Sequence, residues 1–358
     1  MIEANCKFPD SVRREAENFL NNEKQFHLGI LPTEQSNPKT RELDRKFASD
    51  PVEGVQTLLS VDRDIVGMAE SIFRTEQYGK MVTDIEKAIK DGHKIVFSGC
   101  GSTGRLSVLL ESVWRRFFLK LLTLNPDIYY RIRKYEESVY SIMTGGDYAL
   151  IRSVESFEDF QEFGRQQVRD LNIVKGDVLI AITEGGETSS VLGTVAEAAD
   201  RRAAVFLLFN NPAEILVKNI ERSKRAIEDP RVTVLDLYCC PMAIAGSTRM
   251  QATTSELLVA GAALETVLLN LLNEISGNGS GWPVAGSYDY TKLFSILLDG
   301  LYSPANLRCL ADYIQLEVDI YSKKGLVTYF ANEHMIDIFT DTTERAPTFM
   351  LPPFIKID

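Results

Sequence analysis

Cysteine and histidine are scarce in this sequence, and neither is clustered. The cysteines are Cys6, Cys100, Cys239, Cys240 and Cys309, and the histidines are His27, His93 and His334. The cysteines lack zinc-type spacing and their number is odd, which favours free thiols in a reducing cytoplasm over disulfides. The scattered histidines indicate neither a metal site nor a Ser–His–Asp triad, so we expect no metal and no cofactor.

Excess positive charge and long apolar runs are also absent. The formal net charge of −11 argues against nucleic acid as a partner, because neutralising phosphates requires a basic face. A small phosphorylated ligand is compatible with this charge, since backbone N–H groups can bind a phosphate without any lysine. The charged N-terminus and the lack of eighteen consecutive apolar residues predict no signal peptide, no membrane partner and a cytoplasmic location.

Short apolar runs alternate with helical patterns through the middle of the chain. The predicted strands are 94–99, 137–145, 177–183, 203–210 and 231–238. The helical patterns between them are 104–120, 147–170, 188–200 and 212–225. Buried strands separated by crossover helices predict an α/β fold, with a parallel sheet covered by helices on both faces.

The flanking regions are polar or helical. Residues 1–60 are polar and include a proline-rich loop, whereas 55–90 has apolar residues at helical spacing. Residues 249–275 predict one long apolar helix, buried in the core or in a dimer interface, and two more helices follow. From residue 323 the chain resembles the start of another strand–loop–helix unit, and the alternative is a tail that docks on the first domain.

The sequence GCGSTG, residues 99–104, follows the first predicted strand and precedes a helix. Its glycines permit a tight turn, and its hydroxyl and N–H groups suit an anion at the carboxyl edge of the sheet. Dinucleotide binding is disfavoured, because no acidic residue ends a second strand about twenty positions later. A hydroxyl-capped helix without a ligand remains the alternative. Cys100 is interpreted as a filler residue, although a helix N-terminus can lower the pKa of a thiol.

Two further turns rich in glycine and hydroxyl groups are expected at the same edge of the sheet. One is TEGGETSS, residues 183–190, after the third strand, and the other is AGSTRM, residues 245–250. Each alone could be an ordinary helix cap. Together with the first turn, they predict a phosphorylated, polyhydroxylated ligand, with one loop holding the phosphate and the others its hydroxyls.

An acidic segment, VESFED, follows the second predicted strand at residues 154–159. Glu155 could point into the cleft, where a carboxylate can bind sugar hydroxyls or act as a general base. Glu158 and Asp159 are predicted to lie on a solvated helix face. Glu155 is therefore the candidate catalytic residue.

Five segments together resemble a known family. They are LPTEQSNPKTRELD, GCGSTGRL, TGGDYALIRSVESFED, GETSSV and GSTRMQATT. Their order and spacing are similar to those of sugar isomerase (SIS) domain proteins, in the group that contains N-acetylmuramic acid 6-phosphate etherase and glucokinase regulatory protein. The resemblance implies a flavodoxin-like, three-layer domain with a five-stranded sheet that binds a phosphosugar at its carboxyl edge. It also implies pairing into a homodimer and, for regulatory members, a protein partner.

The three turns and the resemblance together give the candidate phosphosugar-binding residues. They are Gly101, Ser102, Thr103, Gly104, Gly186, Thr188, Ser189 and Ser247. The resemblance assigns the phosphate contacts to Ser102, Thr103 and the loop after the third strand.

The chain departs from the etherase pattern at residues that the etherase uses for chemistry. The etherase uses two glutamates as acid and base; one matches Glu155, but the other matches Val113, which cannot transfer a proton. Glu111 lies two positions earlier, about 200° around the helix, and is expected to face elsewhere. The positions that carry a serine, an arginine and a lysine in the etherase motifs are Gly185, Glu187 and Gln251.

These features predict a phosphosugar-binding SIS protein that binds a hexose or amino-sugar 6-phosphate in a sensing or regulatory role, without etherase activity. Two enzyme alternatives stay open: a lyase (etherase) acting on N-acetylmuramic acid 6-phosphate, and an aldose–ketose sugar-phosphate isomerase with Glu155 as base. The predicted organisation is an N-terminal extended and helical arm at 1–60, a SIS domain at 61–275, a linker with helices at 276–322, and the start of an incomplete second SIS-like unit at 323–358.

Overall fold

The centre of the molecule is a five-stranded parallel sheet. A computed structural model describes residues 8–23, 27–150, 157–247, 249–276, 288–332 and 336 of the chain. The strands are β1 (Ile95–Gly99), β2 (Val139–Met143), β3 (Val178–Ile182), β4 (Ala204–Phe209) and β5 (Val232–Asp236). They lie in the order β2-β1-β3-β4-β5, which is the flavodoxin-like doubly wound arrangement. The predicted fold class and the five predicted strands are confirmed.

Helices surround this sheet in the described part of the chain. Before β1 lie α1 (Asp10–Asn22), α2 (Leu43–Ser49), α3 (Pro51–Leu59), α4 (Arg63–Ile72) and α5 (Glu76–Lys90). Between the strands lie α6 (Gly101–Leu124), α7 (Pro126–Ile132), α8 (Gln161–Asp170), α9 (Ser189–Asp200), α10 (Ala213–Asn219) and α11 (Glu221–Ile227). After β5 lie α12 (Gln251–Ser276), α13 (Tyr290–Leu301) and α14 (Pro304–Ser322). Short 3₁₀ turns occur at Leu28–Ile30, Pro32–Glu34, Ser60–Asp62, Arg133–Tyr135 and Asp147–Leu150.

Two predicted helices are wrong in their extent. The pattern over 147–170 contains a 3₁₀ turn and then α8, which begins only at Gln161, while 151–156 lie outside the described residues. The rings of Phe157 and Phe163 stack with centroids 4.6 Å apart and close a turn ahead of α8. The pattern over 212–225 is two helices, because Ile220 between them adopts an extended conformation.

Two apolar clusters hold helices on both faces of the sheet. Successive strand residues point to opposite faces. Phe97 and Ile180 join the cluster that α5, α6 and α12 cover, whereas Val96 and Leu179 join the cluster that α8 and α9 cover. Strands β1 and β3 are buried along their whole length, as expected for parallel strands covered on both sides. The predicted three-layer arrangement is confirmed.

Helix α12 is long and apolar enough to cross a membrane by length and composition alone. It instead packs against α5, and Val259, Ala263 and Val267 are fully buried. Within its most apolar window, 61% is buried inside the molecule. Its composition is therefore explained by a place in the core, and the prediction of one long buried helix over 249–275 is confirmed.

The helices after α12 pack back onto the domain. Phe294 and Leu298 of α13 join the same cluster as α12, and Leu307 of α14 packs against Val55 of α3. Residues 323–332 form neither helix nor strand, and most of the remaining C-terminal residues lie outside the described part. The division of the chain into four regions and the incomplete second unit stay predictions.

Helices α8 and α9 cross with their backbones in direct contact. A Cβ atom on Gly164 of α8 would lie 1.8 Å from the Ser190 carbonyl oxygen, and one on Gly193 of α9 would lie 2.0 Å from the Gln161 carbonyl oxygen. Glycine on both helices therefore permits this crossing, which fixes the first turn of α9 at the carboxyl edge of the sheet.

Gly164→Ala is expected to lower the free energy of unfolding by about 1–3 kcal/mol, because the added methyl group overpacks the crossing. The matched control is Gly79→Ala in α5, where nothing lies within 4 Å of the added Cβ. That change should raise stability by up to ~1 kcal/mol, since alanine favours a helix over glycine. Urea unfolding of the two variants measures both effects. Equal stabilities for the two variants would contradict the close crossing.

Candidate functional site

The turn between β1 and α6 brings a helix N-terminus directly onto the edge of the sheet. A Cβ atom on Gly99 would lie 2.3 Å from the Thr103 carbonyl carbon, and one on Gly104 would lie 2.7 Å from Cγ of Met143. Both positions therefore require glycine. The first N–H groups of a helix have no intrahelical acceptor and carry the positive end of its dipole. This turn, residues 99–104, can hold an anion, and we call it the cradle.

The two cradle hydroxyls have different partners. Thr103 Oγ1 donates to the Cys100 carbonyl oxygen at 2.8 Å and accepts from the Cys100 N–H at 3.0 Å, so it closes the helix cap. Ser102 is 1% exposed, and its Oγ donates to a carboxylate oxygen of Glu184 in the loop after β3. The Thr103 N–H in turn donates to the Cys100 side chain, so both polar groups of Thr103 are used by the helix cap. Because Glu184 lies 82 residues from Ser102, no local sequence pattern predicts this contact.

The loop after β3 is anchored at several points. The Glu184 carbonyl oxygen accepts from the Asn210 N–H at 2.9 Å, and the Gly186 carbonyl oxygen accepts from Ser223 Oγ at 2.8 Å. Gly186 has a φ of 80°, which favours glycine. Thr188 Oγ1 lies 3.0 Å from Thr183 Oγ1. Ser189, the first residue of α9, is half-buried beside this loop.

The acidic segment after β2 reaches the cradle through Glu158. Cys100 Sγ donates to Glu158 Oε2 at 3.4 Å, and the Ser190 N–H donates to the Glu158 carbonyl oxygen at 2.9 Å. The prediction that Glu158 lies on a solvated face is therefore wrong. Burial and the Glu158 charge raise the pKa of the Cys100 thiol, which keeps it protonated, as expected of a filler residue. Glu155, the candidate catalytic residue, lies outside the described residues.

The third turn meets the N-terminal segment of the chain. The Gly246 N–H donates to the Thr33 carbonyl oxygen at 3.0 Å, and the next residue, Ser247, is half-buried. Asn211 joins this contact to the loop after β3: its Oδ1 accepts from the Thr33 N–H at 3.1 Å, and its Nδ2 donates to the Gly185 carbonyl oxygen at 2.9 Å. The three predicted turns therefore lie at one edge of the sheet. The contact of the N-terminal segment with this edge was not predicted, although LPTEQSNPKTRELD is one of the five segments that resemble the family.

A second buried carboxyl group lies behind Glu184. Glu256 of α12 is fully buried, and its Oε1 accepts from Asn210 Nδ2 at 2.8 Å. Asn210 Oδ1 in turn accepts from Ser255 Oγ at 2.6 Å. Burial and, after it, the charge of Glu184 raise the pKa of Glu256 well above its usual range, which favours the protonated form. No sequence pattern pointed to this residue.

A buried arginine adds positive charge beside the cradle. Arg105 is 1% exposed, and its Nη2 donates to the Ala149 carbonyl oxygen at 3.3 Å. Its Nε and Nη1 have no hydrogen-bond partner among the described residues. Burial and the nearby Arg249 lower the pKa of Arg105 to about 10, so the guanidinium stays charged at neutral pH. An anion in this part of the site would be favoured by that charge.

Sequence comparison relates these features to known proteins. Residues 77–199 match the model of the glucokinase regulatory protein N-terminal SIS domain. An N-acetylmuramic acid 6-phosphate etherase from Caldanaerobacter subterraneus subsp. tengcongensis is 30% identical over 249 residues, which cover 68% of this chain and 70% of that protein. This chain belongs to the SIS-domain group of the etherase and glucokinase regulatory protein.

Other similar proteins carry related names. An N-acetylmuramic acid 6-phosphate etherase from Clostridium acetobutylicum is 27% identical over 257 residues, which cover 70% of this chain and 73% of that protein. The solved structure of phosphoheptose isomerase GmhA from Neisseria gonorrhoeae is similar with a TM-score of 0.38 at 16% identity, covering 57% of this chain and 93% of that one.

Val113, which matches the etherase glutamate that this chain lacks, lies far from the cradle within one chain. Val113 is 46% exposed and lies eleven positions after Ser102 on α6, an axial distance of about 17 Å. Glu111 accepts from Ser141 Oγ at 2.6 Å and pairs with Arg115 at 3.0 Å. The prediction that Glu111 faces elsewhere is confirmed.

Of the three other departures from the etherase motifs, Gly185, Glu187 and Gln251, the last two have side-chain atoms that the structure shields from solvent. Gln251 is fully buried; its Oε1 accepts from the Ala243 N–H at 2.9 Å, and its Nε2 donates to the Pro241 carbonyl oxygen at 3.1 Å. Oε2 of Glu187 is shielded from solvent and has no hydrogen-bond partner among the described residues. Burial raises the pKa of Glu187 to about 7, while the positive charge of Arg222 opposes the shift.

The Glu187 pKa predicts a pH dependence of stability. Because the folded-state pKa is raised above 4.5, folding favours the protonated carboxyl, and this contribution is lost as pH rises from about 4.5 to about 7. Glu187→Gln should therefore be more stable than the native chain by on the order of 1–3 kcal/mol at pH 8, and by much less at pH 5. Urea unfolding at both pH values measures this difference. Glu15→Gln, an exposed position on α1, is the control for a lost charge. A stability difference that is the same at both pH values would contradict the buried carboxyl.

Proposed function

We propose that this chain binds a hexose or amino-sugar 6-phosphate in a sensing or regulatory role, without etherase activity. One observation carries the proposal: an anion-binding turn opens α6, yet the same helix presents Val113 where the etherase pattern has a proton-transferring glutamate. The chain therefore has the means to hold a phosphosugar and lacks one half of the etherase acid–base pair.

Ligand binding is supported by the geometry of the cradle. Its N–H groups at residues 101 and 102 and the dipole of a 24-residue helix favour an anionic group at the sheet edge. Thr188, Ser189 and Ser247 on the neighbouring turns are half-buried, so their polar groups are accessible to sugar hydroxyls. The family supplies the ligand class, because the name of the etherase contains a phosphorylated amino sugar.

Absence of etherase activity is supported by the surroundings of α6. The elimination implied by the family resemblance needs two carboxyl groups, and only Glu155 matches one of them in sequence. Glu111 cannot substitute, because its two carboxylate oxygens are held by Ser141 and Arg115. Glu187 replaces a phosphate-loop arginine, which removes one positive charge from the loop after β3 and adds a negative one.

Etherase activity is the second candidate function. It is favoured by the relatives that are 26–30% identical and carry the etherase name, and by Glu155 in VESFED. An assay for lactate released from N-acetylmuramic acid 6-phosphate separates the two candidates. Release that Glu155→Gln abolishes would establish the etherase and overturn our proposal.

Thermal unfolding with a panel of sugar phosphates tests the proposed binding. At a ligand concentration about 100 times the dissociation constant, binding stabilises the native state by ~2.7 kcal/mol, which raises the melting temperature by several degrees. Glucose 6-phosphate, fructose 6-phosphate and amino-sugar 6-phosphates form the panel, and the unphosphorylated sugars are the controls. No change in melting temperature with any of the phosphates up to 10 mM, about the highest useful concentration, would contradict ligand binding.

A further inference from the structure

The cradle already holds an anion, and that anion belongs to the chain itself. Ser102 Oγ donates its hydrogen to the carboxylate of Glu184 across 82 residues of sequence. Ser102 is 1% exposed and Glu184 is 8% exposed, so this contact is made away from bulk solvent. It places a carboxylate at the first turn of α6, where the helix dipole favours an anion.

The chain around Glu184 holds the carboxylate in position. The Asn210 N–H donates to the Glu184 carbonyl oxygen at 2.9 Å. Asn211 Nδ2 holds the following carbonyl, that of Gly185, at 2.9 Å. Glu184 is therefore tethered within reach of Ser102, and a tethered group competes at an effective concentration in the millimolar range or above.

A phosphate could not share the cradle with this carboxylate. The two groups would be like charges at hydrogen-bond distance from the same hydroxyl, in a place where water screens them poorly. Glu256, whose Oε2 is buried with no hydrogen-bond partner among the described residues, lies behind Glu184 and adds a carboxyl group on that side. A phosphate at Ser102 therefore requires the Glu184 side chain to leave.

We propose that Glu184 is an internal competitor that sets which anions the cradle accepts and how tightly it binds them. The proposal rests on the proposed function, because it assigns the cradle to the phosphate of the ligand. Displacement of Glu184 would release its side chain from Ser102 and disturb the loop that leads into α9 through Thr188 and Ser189. Ligand binding and the conformation of this loop are then coupled, which a sensing protein requires.

Isothermal titration calorimetry with inorganic phosphate and with fructose 6-phosphate tests this proposal on the full chain. Glu184→Gln and Glu184→Ala are expected to bind phosphate roughly 10- to 100-fold more tightly than the native chain, because the tethered charge is gone. The matched control is Glu187→Gln, with all titrations at pH 8, where the Glu187 carboxyl is ionised; it removes one charge from the same loop but no contact with Ser102. It should change the affinity by less than about 3-fold. Adding Ser102→Ala to Glu184→Ala should cancel most of the gain.

The outcomes separate this proposal from the proposed function. Equal or weaker binding by both Glu184 variants, in a chain whose native form binds fructose 6-phosphate, overturns the competitor and leaves phosphosugar binding intact. An equal gain from Glu187→Gln also overturns it, because the effect would then come from general charge. If neither the native chain nor either Glu184 variant binds phosphate or fructose 6-phosphate, both proposals fail. A double-mutant cycle of Ser102→Ala and Glu184→Gln in urea unfolding tests the contact without any ligand, and no coupling between the two changes would overturn it.

Discussion

The contact of α6 with the ends of β1 and β2 is the constraint on which the site depends. Gly99 and Gly104 leave no side chain between the helix and the strands, so the first turn of α6 lies on the sheet edge itself. A larger residue at either position would push the helix outward and separate Ser102 from Glu184. The anion-binding character of the edge, the buried charge of Arg105 and the burial of Ser102 all follow from this close approach.

The N-terminal segment completes the same edge from a distant part of the sequence. Thr33 bonds to Asn211 and Gly246, while Asn37 Nδ2 donates to the Pro241 carbonyl oxygen at 2.7 Å. Thr40 Oγ1 donates to the Ala243 carbonyl oxygen at 2.6 Å. A segment without long helices is thereby buried by hydrogen bonds to backbone groups that would otherwise lack partners. The N-terminal segment thereby connects the loops after β3 and β5. A movement of one loop on ligand binding would be transmitted to the other through this segment.

Local pattern was enough to predict the sheet, its strands and the cradle. Short apolar runs, helical patterns between them and the glycines of GCGSTG are each visible over a few residues, and so is the 200° offset that turns Glu111 away from Val113. Contacts across the sheet edge were not predictable in this way. The partner of Ser102 lies 82 positions away, Glu256 is an acid on an otherwise apolar helix, and Glu158 reached the cradle because the predicted helix over 147–170 is interrupted. Local propensity does not predict which distant carboxylate will contact a given hydroxyl group once the chain has folded.

The departures from the etherase motifs occur at positions that substrate chemistry requires and not at positions that the fold requires. Positions that the fold needs, such as the glycines of the cradle and the capping Thr103, fit the family pattern. Positions that only an anionic substrate and its chemistry need are different, and the structure uses them internally: Gln251 bonds to the backbone around Pro241, and Glu187 has a carboxylate oxygen shielded from solvent near Arg222. At the cradle, the carboxylate of Glu184 occupies the place where a ligand anion would bind. The site can therefore keep its shape without a ligand. This property is compatible with the sensing or regulatory role that we propose, in which a ligand changes the conformation of the loop after β3.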